Sequence, residues 1–177
     1  MPVTRLNHAV LYVRDVEVTR EFYEGALGFT PLIHLPGQAV FFQAPGSTND
    51  HDLGVFQIGS GAGPSGAGRS TVGLYHLAWE VDTLDELQRL KGVLADRGAL
   101  VGASDHVTTK SLYAQDPDGL EFEVCWILPA SVVTPELRAE AAADPRPRPL
   151  DIDAEKARYG GDTPGGIGVS IPGVTTA

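Results

Sequence analysis

The sequence predicts an α+β fold built from two copies of a βαβββ module. One observation behind this prediction is a repeated pattern, in which a histidine opens an alternating apolar stretch in both Leu6–Val13 and Leu74–Val81. The two histidines, His8 and His76, lie 68 residues apart in the chain. The other is that an acidic, helix-starting segment follows each stretch. These matched positions indicate an internal duplication with one candidate metal ligand in each copy.

The first module, residues 1–58, is expected to begin with a strand over Asn7–Val13, where apolar residues alternate between two faces. Asp15 is suited to cap a helix that runs to about Leu27, before Gly28. The expected buried stripe of this helix consists of Val18, Phe22 and Tyr23. Three further strands are expected at Thr30–Leu35, Ala39–Gln43 and Asp52–Ile58.

A glycine-rich link over residues 59–73 separates this module from the second, residues 74–128. After the strand Leu74–Val81, leucines at helical spacing predict a helix over Leu84–Arg97. The remaining strands are expected at Leu100–Gly102, Ser111–Gln115 and Leu120–Ile127, with a turn at Asp116–Gly119. Together the modules form a domain over residues 1–128.

Residues 129–177 form a tail of different composition, with a short helix expected at Pro135–Ala143. We interpret the tail as an arm without its own core that lies on the domain or on a neighbouring subunit. A partly disordered terminus is the alternative interpretation.

The composition argues against several classes of partner. A formal net charge of −10 disfavours nucleic acid and anionic membrane surfaces, because both require a basic face. The sequence contains neither a signal peptide nor an apolar run of membrane-spanning length. The single cysteine, Cys125, excludes an internal disulfide and is typical of a reducing, cytoplasmic compartment.

Two acidic side chains, Glu121 and Glu123, fall on the same face of the last strand. Burying an unpaired carboxylate costs several kcal/mol, so either solvent or a cation must face it. If one glutamate joins His8 and His76, the result is a set of two imidazoles and one carboxylate. That set is the facial triad suited to Fe(II) and oxygen chemistry.

Three segments resemble the vicinal oxygen chelate superfamily, which includes glyoxalases, bleomycin-resistance proteins and extradiol ring-cleavage dioxygenases. They are Leu6–Asp15, Phe22–Phe29 and Asp116–Val124. The resemblance implies that the two modules pair into a cupped mixed sheet around one metal site. It also selects Glu123 over Glu121, because the ligand in this superfamily is the second acid after an Asp-Pro-x-Gly turn.

The resemblance further implies a branch of the superfamily. Asn49–Phe56 resembles the extradiol dioxygenase segment that supplies a catalytic histidine, here His51. His106 and Tyr113 are similar in position to the histidine and tyrosine that assist those enzymes. For all three residues a structural alternative stays open: an exposed turn histidine, a water-facing loop histidine and a core tyrosine.

Glyoxalase-type members have a fourth protein ligand, an acid on the last strand of the first module. Here Gln57 is the only polar residue beyond the start of that strand. The fifth histidine, His34, has no expected role and is interpreted as an exposed strand residue.

The sequence therefore predicts an Fe(II)-dependent extradiol dioxygenase, with Mn(II) as the alternative metal. Its partners would be a small aromatic diol and O₂, and the resemblance implies a homodimer or higher homo-oligomer. The alternatives are a glyoxalase-like or isomerase-like metalloenzyme, and a non-enzymatic binding or resistance protein of the same fold.

Overall fold

The computed structural model describes residues 2–3, 5–67 and 70–166. By their contacts, these residues fall into two compact units. The first comprises the residues up to Gly73 together with Asp116–Leu120, and the second comprises Leu74–Gln115 together with the residues from Glu121 onward. Each unit contains a strand, a helix and three further strands, in that order. The predicted α+β class with a duplicated βαβββ module is confirmed.

The first unit has a four-stranded sheet and one helix among its described residues. Its elements are β1 (Ala9–Val13), α1 (Val16–Leu27), β2 (Thr30–Leu35), β3 (Ala39–Gln43) and β4 (Leu53–Gln57). The strands lie in the order β1-β4-β3-β2. β1 and β4 are parallel, whereas β3 pairs antiparallel with both β4 and β2. As a result, the starts of β1 and β4 lie side by side.

Helix α1 begins and ends as its sequence predicts. The Asp15 side chain accepts hydrogen bonds from the amides of the first helical turn, and Gly28 ends the helix in the left-handed conformation, with φ of 71°. The expected burial of Val18 is wrong, because this side chain is 49% exposed. The buried face follows the 3.6-residue period through Val16, Thr19, Phe22, Tyr23 and Ala26.

The second unit has a five-stranded sheet in the order β5-β8-β7-β6-β9. Its first elements are β5 (Leu77–Glu80), α2 (Leu84–Asp96), β6 (Leu100–Asp105), β7 (Thr109–Gln115) and β8 (Glu121–Ile127). β5 and β8 are parallel, as β1 and β4 are in the first unit. β5 is shorter than expected, so His76 comes just before the strand, as His8 comes just before β1.

The C-terminal segment adds a 3₁₀ helix (Ala130–Val132), α3 (Pro135–Ala143), β9 (Arg148–Pro149) and α4 (Ile152–Tyr159). Of these, only α3 was expected from the sequence. α4 packs on α2, where the Gln88 amide donates to Asp153 at 2.9 Å. The indole of the fully buried Trp126 donates to the Thr163 carbonyl at 3.2 Å. Residues 129–166 thus belong to the packing of the second unit, and the predicted tail beyond residue 166 lies outside the described residues.

In the described part of the chain, no helix has the length and apolar character needed to span a bilayer.

Candidate active site

The second unit brings together two of the predicted metal ligands, His76 and Glu123. Their strands run parallel, with Ala78 of β5 opposite Glu123 of β8. The imidazole Nε2 of His76 lies 3.1 Å from Oε2 of Glu123, and the two side chains are 24% and 13% exposed. Ligand atoms bound at about 2.0–2.2 Å to one cation in adjacent positions are separated by about 3 Å. The pair therefore fits two neighbouring ligand positions of a divalent metal.

Ser111 holds the other oxygen of the same carboxylate. Its hydroxyl donates to Oε1 of Glu123 at 2.5 Å, and the residue is fully buried. Ser111 lies opposite Cys125 on the neighbouring strand, so it shares the sheet face of Glu123. The sequence prediction assigned no role to Ser111. The sequence feature that points to Ser111 is the alternation along β7, which puts Ser111 on the same face of the sheet as Tyr113.

His106 and Tyr113 also meet within the second unit. The His106 Nε2 and the Tyr113 hydroxyl are 2.9 Å apart, and the Tyr113 ring centroid is 5.8 Å from that of His76. Tyr113 lies directly opposite Glu123 in the sheet. Burial, and then the charge of Glu123, raise the pKa of Tyr113 to about 12. Its hydroxyl therefore stays protonated at neutral pH and is able to donate a hydrogen bond.

The first unit brings together His8 and His51. Because β1 and β4 are parallel, the residues just before these strands are neighbours, and the two ring centroids are 4.3 Å apart. The Nδ1 of His8 is 2.7 Å from the Asn7 side-chain oxygen. Asn49 ties the two segments together, because its amide donates to the Asn7 carbonyl and to Asp52, each at 2.8 Å.

Equivalent rows of residues cross the two sheets. Each row takes one residue from the first, the last and the third strand of its module. The rows are Val10, Gly54 and Phe41 in the first unit, and Ala78, Glu123 and Tyr113 in the second. The fold is therefore duplicated but the chemistry is not, since glycine and phenylalanine take the places of the carboxylate and the phenol.

The position equivalent to Glu123 has little space for a side chain. A Cβ atom at Gly54 would lie 3.3 Å from two carbons of the Phe41 ring. Gln57 is the polar residue at the end of β4. Its side-chain oxygen accepts a hydrogen bond from the Val16 amide at 3.1 Å and so stabilises the start of α1. β4 contains no acidic residue. This strand therefore offers no carboxylate that could be a fourth ligand beside the two histidines and Glu123.

The described residues contain no group of three His, Cys, Asp or Glu side chains that could hold a metal ion. The predicted ligands His8, His76 and Glu123 come from both units, so their assembly into one site stays a prediction. The same applies to His51 acting together with His106 and Tyr113. His34 is exposed on β2, as expected, and its Nε2 lies 2.8 Å from a Glu17 carboxylate oxygen.

Residues 5–124 match the Glyoxalase/Bleomycin resistance protein/Dioxygenase superfamily, which is more than half of the chain. The chain belongs to this superfamily. The superfamily resemblance predicted from three short segments is thereby confirmed.

Among relatives within the superfamily, the catechol-2,3-dioxygenase of Bacillus subtilis (strain 168) is 30% identical over 124 residues. The match covers 68% of this chain and 41% of that protein, so the chain spans less than half the length of this relative.

Solved structures of other proteins share this fold. A glyoxylase/bleomycin resistance protein/dioxygenase domain from Frankia sp. EAN1pec has a TM-score of 0.59 at 21% identity, covering 70% of this chain and 92% of that one. A fosfomycin resistance protein variant from Listeria monocytogenes, solved with Mn(II) and a dihydroxypropylphosphonic acid, has a TM-score of 0.56 at 19% identity. This second match covers 80% of this chain and 99% of that one. At such identities the likeness concerns the fold alone.

Proposed function

We propose that this superfamily member is a metal-dependent extradiol dioxygenase, which opens the ring of a catechol-type diol with O₂. The observation that carries the proposal is the difference between the two equivalent rows, with Glu123 in the second unit and Gly54 in the first. Two histidines and a single carboxylate leave ligand positions open for two substrate oxygens and for O₂. The 30% identical catechol-2,3-dioxygenase supports the same reaction class.

The proposed metal ligands are His8, His76 and Glu123. The 3.1 Å separation between His76 and Glu123 supports this assignment, as does the matched position of His8 just before β1. Fe(II) is the metal we expect, with Mn(II) as the alternative. When bound, the metal supplies Lewis acidity that lowers the pKa of the diol hydroxyls, and it provides a path for electrons between diol and O₂.

Ser111 and Asn7 would orient the ligands. The Ser111 hydroxyl holds one oxygen of Glu123 and leaves the other directed at His76. In the first unit, Asn7 engages Nδ1 of His8 and so fixes the orientation of that ring. Partners of this kind commonly change metal affinity by 10- to 100-fold when they are removed.

His51 is the proposed acid–base group. Its ring lies beside that of His8, and histidine is the side chain that most often acts as a general acid or base. Tyr113 is the proposed donor to a substrate oxygen, because its hydroxyl stays protonated. His106 would fix the orientation of that hydroxyl through the 2.9 Å contact between its Nε2 and the hydroxyl oxygen. In the proposed reaction, His51 therefore transfers a proton, Tyr113 donates a hydrogen bond to the substrate and His106 orients Tyr113.

The test is loading of the purified chain with Fe(II) under anaerobic conditions, followed by mixing with a panel of catechols in air-saturated buffer. We expect stoichiometric O₂ consumption together with the yellow absorbance of ring-opened product. Metal-free protein and a mono-methylated diol, which cannot chelate through two anionic oxygens, are the controls. Absence of O₂ consumption across the panel would refute the proposal.

The same experiment separates the alternatives. Turnover of a substrate without O₂ consumption would instead favour a glyoxalase-like or isomerase-like enzyme. Stoichiometric binding of a small molecule without metal uptake would favour a binding or resistance protein. We also propose a homodimer or larger homo-oligomer, which light scattering after size-exclusion chromatography would detect.

A further inference from the structure

The loop that joins β6 to β7 carries His106 and has an unusual backbone. Val107 has φ of 68°, and no other non-glycine residue in the described part of the chain has a positive φ. The Thr108 amide donates to the His106 carbonyl at 2.8 Å, which closes a three-residue γ-turn around Val107. A β-branched residue in this conformation is strained, and it persists only where the surroundings hold it.

Asp105 is one of the groups that hold this turn. Its Oδ1 accepts the Val107 amide at 2.7 Å and the Lys110 ammonium at 2.5 Å. The His106 amide donates across the loop to the Thr109 carbonyl at 2.8 Å. These bonds fix the backbone on both sides of His106, whose side chain contacts Tyr113.

Lys110 connects this turn to the C-terminal segment. The side chain is only 1% exposed, and its ammonium lies 2.8 Å from Oε2 of Glu155 on α4 as well as beside Asp105. Burying an ammonium is costly unless carboxylates pair with it, and Asp105 and Glu155 supply that pairing. β9 pairs with β6 at the same point, where Arg148 lies opposite Asp105. Helix α4 is therefore linked to Asp105 through Lys110, and β9 pairs with β6 at Asp105 itself.

We propose that Lys110 and Glu155 are positioning residues, which hold the strained turn at Val107 and so set the contact between His106 and Tyr113. The superfamily match ends at residue 124, whereas Glu155 lies in α4, beyond it. In this arrangement the C-terminal segment helps to set the geometry of the candidate site in the second unit. The catalytic consequence rests on the proposed function, whereas the effect on the turn does not.

The test compares Glu155→Gln, which removes a charge at constant shape, with Asp153→Asn on the same helix. Asp153 is exposed and bonds to Gln88, so its variant controls for a lost charge on α4. Amide hydrogen exchange measured by NMR reports on the turn. In Glu155→Gln we expect exchange at Val107 and Thr108 to rise by about tenfold or more, because the opening free energy of this loop falls.

The kinetic readout separates positioning from general destabilisation. In Glu155→Gln we expect kcat to fall by about tenfold, since small displacements of an assisting group cost rate, while KM and metal content stay unchanged. Asp153→Asn should match the wild type in exchange and in both constants. Unchanged exchange at Val107 and Thr108 in Glu155→Gln would overturn the proposal, as would an equal kcat loss in the control.

A second variant covers the case in which Glu155→Gln fails to fold. The double variant Lys110→Met with Glu155→Leu replaces the buried ion pair by apolar side chains, an exchange that folded proteins tolerate. We expect the same local rise in exchange, because Asp105 loses its anchor. If exchange stays at the wild-type level, the proposal is wrong. Absence of O₂ consumption by the wild type would refute only the proposed function, because the exchange experiment does not depend on turnover.

Discussion

Asp116 in the turn before β8 carries a stability cost that depends on pH. Its Oδ1 accepts the amides of Asp118 and Leu120 at 2.9 Å each. Its Oδ2 is buried and has no hydrogen-bond partner among the described residues, and the residue is only 5% exposed. Burial raises the pKa of Asp116 to about 6, although the backbone hydrogen bonds oppose this rise.

The size and sign of the effect follow from proton linkage. A rise from 3.8 to about 6 corresponds to about 3 kcal/mol. Below about pH 3.8 this carboxyl is protonated in both states and has no effect. Between about pH 3.8 and 6 the unfolded state releases its proton first, so the free energy of unfolding falls as the pH rises. Above about pH 6 the whole cost is present.

Asp116→Asn should remove this dependence, because asparagine keeps the accepting oxygen and carries no charge. Urea unfolding of the metal-free chain, followed by tryptophan fluorescence, gives the free energy of unfolding from about pH 4 to 7.5. We expect the variant to gain up to about 3 kcal/mol over the wild type between these two pH values. Any pH-independent effect of the new amide group cancels in this comparison.

Asp96→Asn, at the exposed end of α2, is the matched control for loss of a carboxylate. Its effect should stay within about 0.5 kcal/mol across the same range, as is typical of surface substitutions. Parallel pH curves for Asp116→Asn and the wild type would refute the reasoning, since they would mean that Asp116 ionises equally easily in both states.

Three further predictions concern the candidate site. His51→Ala should retain metal binding but lower kcat of the proposed reaction by about 10²–10⁴-fold, the usual contribution of an acid–base group, and unchanged kcat in steady-state assays would exclude this role. Ser111→Ala removes the donor to Glu123, so metal titration should show affinity weakened by about 10- to 100-fold; unchanged affinity would contradict the orienting role. Asn49→Asp removes both hydrogen bonds that the side-chain amide donates, so the free energy of unfolding measured with urea should fall by about 1–2 kcal/mol. Asn49→Gln keeps the amide group and tests whether that group alone is enough to maintain stability.

The secondary structure of the duplicated modules could be predicted because its signals are local. Asp15 and Gly28 mark the ends of α1 through capping geometry that depends on a few neighbouring residues. The exposure of Val18 could not be inferred from its apolar character, since the face that packs is chosen by the sheet. The sequence does not predict helix α4, because it is only eight residues long and its place in the fold depends on packing against α2.

For the candidate site, too, some features could be predicted from the sequence and others depend on tertiary contacts. His8 and His76 stand out in the sequence because they repeat at matched places. The contact between His76 and Glu123 depends on the register of two parallel strands, which are separated along the chain by more than forty residues. Alternation along β7 puts Ser111 on the same face as Tyr113, but the contact of Ser111 with Glu123 depends on the register between β7 and β8.

The sequence by itself determined the superfamily, the order of elements within the two modules and the identity of the candidate ligands. These depend on alternation, caps and short motifs, which act over a few residues. Only the tertiary structure assigned the partners of these groups. Strand register places Gly54 where the second unit has Glu123, and Phe41 crowds that position. The burial of Lys110 against α4 is likewise a long-range effect, because one carboxylate that neutralises it lies 45 residues further along the chain.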